Sequence, residues 1–123
     1  MAKTNLEQQQ SFDTTVNVRE VVQRFGTLAG ETLDIRSLIL FGSRARGDYH
    51  KESDADVAVI LAGEPGDFLE TKLDLAGLSF DLLLETDLRI QALPVWESEW
   101  KDPAAYSNPR LLANVRRDGV VIG

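Results

Sequence analysis

The sequence predicts an α/β domain in which a small, mixed, twisted sheet carries helices mainly on one face. Two short and almost wholly apolar runs, residues 37–41 and 56–61, have the length and composition of buried strands. Outside them lie segments whose apolar residues recur every three or four positions, the spacing of one helix face. A chain of 123 residues with this pattern is expected to form one domain.

The composition excludes several classes of protein. The formal net charge of −7 argues against broad binding to duplex DNA, because clustered Lys and Arg neutralise phosphates. With no cysteine and one histidine, the chain has neither a disulfide framework nor a thiolate or multi-histidine metal site. No apolar run approaches the roughly 18 residues of a membrane span. Residues 1–10 lack the apolar core of a secretory signal, so we expect a cytoplasmic protein without membrane contact.

The first half of the chain divides into an arm, a helix and two strands. Residues 1–15 are mostly polar and predict a flexible N-terminal arm, which leaves residues 16–123 for the domain. Residues 16–29 carry one apolar stripe and predict a helix. The segment between the two strands is charged and rich in glycine, so we expect a loop or a loop with one helical turn.

Residues 67–86 allow two interpretations. A single helix would present one continuous apolar face, formed by Leu69, Leu73, Ala76, Phe80, Leu83 and Leu84. Alternatively, Gly77 ends a shorter helix and residues 78–84 form a strand. The leucines and the lack of β-branched residues in that run favour the single helix, which places the third core strand at residues 88–93.

The remaining segment closes the domain. From residue 94 we expect an extended stretch whose aromatic side chains cover a sheet edge or the core rather than stack on a base. These aromatic residues are Trp96, Trp100 and Tyr106. Asn108 and Pro109 have the residue types of a helix start. Gly119 ends that helix, and residues 120–122 predict a terminal edge strand.

The residues that indicate chemistry lie at the start of the second strand. Asp54 and Asp56 are two positions apart, so a strand presents their carboxylates side by side on one face. Adjacent carboxylates repel each other unless a cation lies between them, and Mg²⁺ prefers oxygen ligands. The pair is therefore the candidate metal site and catalytic centre.

A candidate phosphate-binding turn precedes this pair. Gly42 allows close approach of the backbone to a ligand, and Ser43 offers both a hydroxyl and an amide donor. In the following loop the basic side chains of Arg44, Arg46 and Lys51 outnumber the acidic ones. Each of the two arginines either offsets phosphate charge or pairs with a surface carboxylate.

The arrangement resembles a known superfamily. Residues 42–47 (Gly-Ser-Arg-Ala-Arg-Gly) followed by Asp54-x-Asp56 resemble the DNA polymerase beta-like nucleotidyltransferases, and more closely the stand-alone minimal nucleotidyltransferases. The resemblance implies a polymerase beta-like core that transfers a nucleoside monophosphate, AMP from ATP, onto a hydroxyl. It also implies that Asp54 and Asp56 hold up to two Mg²⁺ ions. The turn at Gly42 and Ser43 would then bind phosphates, with Arg44 or Arg46 beside the pyrophosphate.

The same resemblance implies a partner and raises one question. Members of this kind act as antitoxins that modify a small helical partner of the HEPN (higher eukaryote and prokaryote nucleotide-binding) type, and a homodimer is also compatible with it. We expect residues 93–109, rich in aromatic residues and proline, to be the interface. The superfamily usually has a third carboxylate on the next strand, but residues 88–93 carry Gln91 and no acid. Only the alternative strand would supply one, Asp81, so a catalytically weak partner-binding module remains the second interpretation.

Overall fold

The computed structural model describes residues 17–123, which form a four-stranded mixed sheet with helices on both faces. The arm expected for residues 1–15 lies outside the described residues. In chain order the elements are α1 (Val18–Ala29), β1 (Ile35–Phe41), α2 (Ser43–Arg46), β2 (Ala55–Leu61), α3 (Phe68–Thr86), β3 (Ile90–Trp96), α4 (Glu97–Lys101), a 3₁₀ turn (Pro103–Ala105), α5 (Pro109–Asp118) and β4 (Val120–Val121).

The strand order of the sheet is β3-β2-β1-β4. Strand β1 runs antiparallel to both β2 and β4, whereas β2 and β3 are parallel and are connected through α3. The two longest helices, α1 and α3, pack on one face of the sheet, and α5 packs on the other face with Tyr106. The mixed sheet with its long helices on one face confirms the predicted fold class.

The first helix begins at a sequence-encoded cap. The side chain of Asn17 accepts a hydrogen bond from the amide of Glu20 at 3.1 Å, which satisfies one of the free amides of the first turn. One face of α1 is then buried in the core through Val21, Val22, Phe25 and Ala29. The predicted helix at residues 16–29 is thus confirmed, within the described residues, from Val18 onward.

The segment after β2 is a single helix, as predicted, but the predicted face is the wrong one. Residues Leu75, Ser79 and Leu82 are buried, whereas most of the apolar stripe expected to face the core is exposed. Leucines lie on more than one face of α3, so periodicity alone does not determine which face packs on the sheet and α1. The outward stripe is therefore a surface feature.

The third strand begins and ends later than predicted. It spans Ile90–Trp96 rather than residues 88–93, and Pro94 lies within it. Proline removes one backbone donor, which a strand tolerates at the edge of a sheet, and β3 is an edge strand. The start is displaced because Asp87 ends α3 with a positive φ of 63° and Leu88 is buried before pairing begins.

The expectation of an extended aromatic segment after residue 94 was wrong. The strand ends at Trp96, and α4 and the 3₁₀ turn follow. Trp96 and Tyr106 are buried, which confirms that they serve the core and removes most of the aromatic surface expected at residues 93–109. Trp100 is partly buried beneath the guanidinium of Arg116, which lies 3.9 Å from its ring centre. That segment is therefore a poor candidate for an interface.

No helix within residues 17–123 has the length and apolar character needed to cross a membrane.

The burial pattern of α3 is testable with two leucines on opposite faces of the same helix. We expect Leu82→Ala to lower the free energy of unfolding by about 2–5 kcal/mol, because it leaves a cavity in the core. The matched variant Leu84→Ala, at a position 71% exposed, should change it by about 0.5 kcal/mol or less. Urea denaturation monitored by circular dichroism measures both, and the reverse order would contradict the packing described for α3.

Candidate active site

The two aspartates lie where β2 begins. Asp54 precedes the strand, Asp56 is its second residue, and Ala55 between them is buried in the core. Both carboxylates are half-buried on the opposite side of the strand from that alanine. Burial, followed by the negative charge of Asp54, raises the pKa of the Asp56 carboxyl, while Arg46 opposes the shift. The structure thus brings the predicted pair together.

The turn at Gly42 lies directly against this pair. Phe41 pairs with Asp56 across β1 and β2, so the chain turns into α2 beside the carboxylate. Gly42 has a φ of +75°, and a Cβ atom built on it would overlap the Oδ2 atom of Asp56. Both the backbone angle and the space require glycine here. Ser43 begins α2 immediately afterwards, so of the two forms expected for this segment the loop with one helical turn is the one observed.

Arg44 holds the loop that connects α2 to β2. Its Nε donates to the carbonyl oxygen of Ser53 at 2.8 Å, and a terminal nitrogen donates to that of Lys51 at 3.1 Å. The guanidinium also lies 4.6 Å from the centre of the Tyr49 ring. These contacts fix residues 48–53 against α2. The phosphate-binding role expected of Arg44 stays a prediction.

Arg46 is the basic side chain whose positive charge affects Asp56. Its Nε lies 3.2 Å from Asp48, and its Nη1 lies 3.8 Å from Asp118 at the end of α5. Its positive charge also opposes the rise in the pKa of the Asp56 carboxyl. Arg46 therefore pairs with carboxylates, as one interpretation of the sequence had it, and still contributes positive potential at the site. Its binding to phosphate stays a prediction.

Gln91 lies on the strand that is expected to carry a third acid. It is the register partner of Asp56 on β3, and its side-chain amide donates to Oδ2 of Asp54 at 3.1 Å. The alternative acid, Asp81, is exposed on α3. Within residues 17–123, no cluster of three or more His, Cys, Asp or Glu side chains could hold a metal ion. The described site consists of two carboxylates and one amide.

Two contacts of this site were missed from the sequence. The hydrogen bond from Gln91 to Asp54 follows from the parallel register of β2 and β3, which can be inferred only after the third strand has been placed. The contact between Asp118 and Arg46 joins α5 to α2 through the fold. No local motif signals either one.

The family is decided by a comparison with known proteins. The nucleotidyltransferase domain family model matches residues 18–112, a range that includes the Gly42 turn, Asp54, Asp56 and Gln91. The chain belongs to the nucleotidyltransferase domain family. The resemblance drawn from residues 42–47 and the Asp-x-Asp pair is thereby confirmed.

Individual relatives agree with this assignment. A candidate protein adenylyltransferase of Methanocaldococcus jannaschii is 42% identical over 48 residues, which cover 39% of this chain and 46% of that protein. The match therefore spans less than half the length of this curated relative.

Solved structures with the same fold include a toxin–antitoxin complex with AMP-PNP (TM-score 0.60, 19% identity, 85% of this chain and 72% of that one). A candidate nucleotidyltransferase from Sulfolobus solfataricus has a TM-score of 0.58 at 17% identity, covering 98% of this chain and 89% of that one. A mutant of the toxin–antitoxin complex MntA-HpeT has a TM-score of 0.58 at 18% identity, covering 85% and 72%. These similarities confirm a nucleotidyltransferase-like fold for the chain.

The raised pKa of Asp56 has a consequence for stability. At pH values below the ordinary pKa of 3.8 the carboxyl is protonated in both the folded and the unfolded chain, so the pKa shift does not change the free energy of unfolding. As the pH rises through the folded-state pKa, the carboxylate ionises less readily in the folded chain, and stability is lost. Without metal at pH 7, Asp56→Asn should therefore raise the melting temperature, with the gain shrinking as the pH falls toward 3.8.

Calorimetric scans between pH 3.5 and 7.5 in EDTA would measure this effect. The exposed Asp81→Asn is the control, and we expect it to leave the melting temperature nearly unchanged. A loss of stability at pH 7 in Asp56→Asn would contradict this prediction, because it would show that the half-buried carboxylate stabilises the metal-free fold.

The close fit of Gly42 gives a second prediction for this site. Gly42→Ala should cost about 1–3 kcal/mol of stability, because φ is positive and the new methyl group displaces the Asp56 carboxylate. Gly77→Ala is the matched control, since its Cβ meets no atom within 4 Å, and in a helix it should stabilise by about 0.5–1 kcal/mol. Urea denaturation of the two variants measures both effects. Equal tolerance of the two substitutions would contradict the contact.

Proposed function

We propose that this nucleotidyltransferase moves AMP from ATP onto a hydroxyl group with the help of Mg²⁺. The observation that carries the proposal is the placement of the Asp54 and Asp56 carboxylates directly against the Gly42 turn. In the reaction, a bond forms between the acceptor oxygen and the α-phosphorus, and the bond from that phosphorus to pyrophosphate breaks. The hydroxyl proton passes to solvent or to a base on the acceptor.

The donor set fits a hard divalent cation. Both aspartates offer only oxygen atoms, and burial together with mutual repulsion disfavours the ionised pair when no cation is present. Mg²⁺ commonly uses one or two carboxylates together with substrate phosphates, which matches two aspartates without a third acid. When bound, the ion neutralises charge that develops during an in-line displacement. A second ion would have to share the same two carboxylates.

The turn and the basic side chains suit the phosphates of ATP. Gly42 has no side chain to obstruct approach beside Asp56, and the Ser43 hydroxyl and amide are donors at the start of α2. Arg46, already close enough to affect Asp56, would offset charge on the leaving pyrophosphate. Arg44 would contribute chiefly by holding the loop at residues 48–53 in place.

The acceptor is proposed to be a protein. The Methanocaldococcus jannaschii relative is named as a candidate protein adenylyltransferase, and two similar structures are toxin–antitoxin complexes, one of them with AMP-PNP. We therefore propose that the acceptor is a hydroxyl, a tyrosine side chain, on a small helical HEPN-type partner. Transfer of AMP would make this chain the antitoxin of the pair.

One observation supports a second candidate function. Gln91 donates a hydrogen bond to Asp54 at a position where a carboxylate would instead add charge and could accept the acceptor's proton. A site without that base is expected to be slow. In this alternative, the domain transfers the nucleotide slowly or not at all and acts by binding its partner.

Calorimetric titration with ATP and Mg²⁺ tests the site. We expect the combined change Asp54→Asn and Asp56→Asn to weaken binding at least tenfold, about 1.4 kcal/mol, because the cation loses both anionic ligands. The control Asp81→Asn should bind as the unchanged chain does. Equal binding by the double variant would reject this site as the nucleotide site.

The transfer itself is tested by co-expression with the protein encoded by the neighbouring gene. Mass spectrometry should find an adenylyl group on that protein, and the double variant should abolish it. If the unchanged chain binds ATP and Mg²⁺ but the partner is never modified, the non-catalytic alternative is the correct one.

A further inference from the structure

The outward face of α3 is unusually apolar for a surface helix. Four large side chains along it are 58–71% exposed, and they recur at the spacing of one helix face. They are Leu69, Leu73, Phe80 and Leu84. The opposite face of the same helix is already buried, so this stripe is not needed to fold the described domain. A contiguous exposed patch of this kind is typical of an interaction site.

The stripe forms one wall of a groove. Its other wall is β3, which lies at the edge of the sheet, and the space between them has a volume of about 450 Å³. Lys72 donates from Nζ to the carbonyl oxygen of Ala92 at 3.1 Å, and the Ser79 hydroxyl donates to that of Ile90. These two outward carbonyls of β3 are therefore already bonded. The groove suits a helix that packs by side chains better than a strand that would extend the sheet.

The charges around the groove restrict what can enter it. Glu70, Asp74 and Asp81 are exposed and lie along the side of the stripe away from β3. In an antiparallel pairing of two copies of α3, these acidic rows would face each other and repel. This acidic row would also repel a nucleic acid or an anionic membrane that approaches from its side. The β3 side of the groove is lined by Lys72 and Arg89. The partner that matches both sides is a protein helix with an apolar ridge and with Lys or Arg along the flank that faces the acidic row.

Only the edge strand β3 separates the groove from the candidate active site. Gln91 of this strand is among the residues that line the groove, and its side chain donates to Asp54 on the other face of the sheet. We propose that the groove between α3 and β3 docks an amphipathic helix with a basic flank, belonging to the protein that carries the acceptor hydroxyl. The role in delivering the acceptor rests on the proposed function. Docking itself does not, because it depends only on the apolar and acidic surface.

Designed peptides test the docking. The first probe is an amphipathic helical peptide of about 18 residues, five turns, with leucine on one face and lysine on the other. The second probe replaces each lysine by glutamate. We expect the lysine peptide to bind at least tenfold more tightly in fluorescence anisotropy. In ¹⁵N-NMR spectra of the full chain, it should shift the amides of α3 and β3 and leave those of α5 unchanged.

Two variants of the chain separate docking from simple charge attraction. Leu73→Ser combined with Phe80→Ser keeps the net charge and should weaken binding of the lysine peptide at least tenfold. The control Val121→Ser, at a position 63% exposed on β4, should leave it unchanged. Both variants should bind ATP and Mg²⁺ normally, so a failure of the proposed function would be seen independently. Undiminished peptide binding by the double serine variant would reject the groove.

Light scattering tests the competing occupants. We expect the full chain to be a monomer at micromolar concentration and to remain one after the two serine substitutions. A dimer that dissociates on those substitutions would assign the groove to a second copy and overturn the proposal. Shifts of α3 amides on removal of residues 1–16 would assign it to the chain's own N-terminal segment, with the same consequence.

Discussion

The contact between the Gly42 backbone and the Asp56 carboxylate is the constraint on which the site depends. It forms because β1 and β2 are antiparallel and pair Phe41 with Asp56, so the turn leaving one strand faces the carboxylate entering the other. A side chain at position 42 would fill the space between them. The phosphate-binding and metal-binding parts of the proposed reaction are thus joined at one point of the sheet. The resulting proximity is what a metal-bridged triphosphate requires.

Much of this could be predicted from the sequence because it is local. The two apolar runs predict two strands. The Gly-Ser turn directly follows the first strand, and the aspartate pair lies at the start of the second, so their order in the sequence is enough to place both. What could not be predicted depends on tertiary packing. The helix at Phe68–Thr86 carries leucines on both its buried and its exposed face, so α1 and the sheet determine which face is buried, and its own periodicity does not. Pro94 suggests the end of a strand until β3 is known to be at an edge.

Two surfaces of different character lie on either side of Asp54. On one side of Asp54 lies the Gly42 turn, with Arg46 and its carboxylate partners beyond it. On the other side Gln91 donates to Asp54 from the edge strand β3, and the apolar groove lies between this strand and α3. This arrangement separates the charged surface proposed for the nucleotide from the apolar surface proposed for a protein partner. A domain that binds its acceptor only through its own small surface would have few contacts to offset the loss of translational freedom, and the groove supplies such contacts.

Paramagnetic NMR tests the central claim most directly. Substoichiometric Mn²⁺, a substitute for Mg²⁺, added with AMP-PNP to the ¹⁵N-labelled chain should broaden amide signals around Gly42, Ser43 and residues 54–56, and then at Gln91. Signals from the acidic flank of α3 at Glu70, Asp74 and Asp81 should persist. Broadening centred on that flank, or spread evenly over the acidic surface, would contradict the assignment of the metal and nucleotide to the aspartate pair.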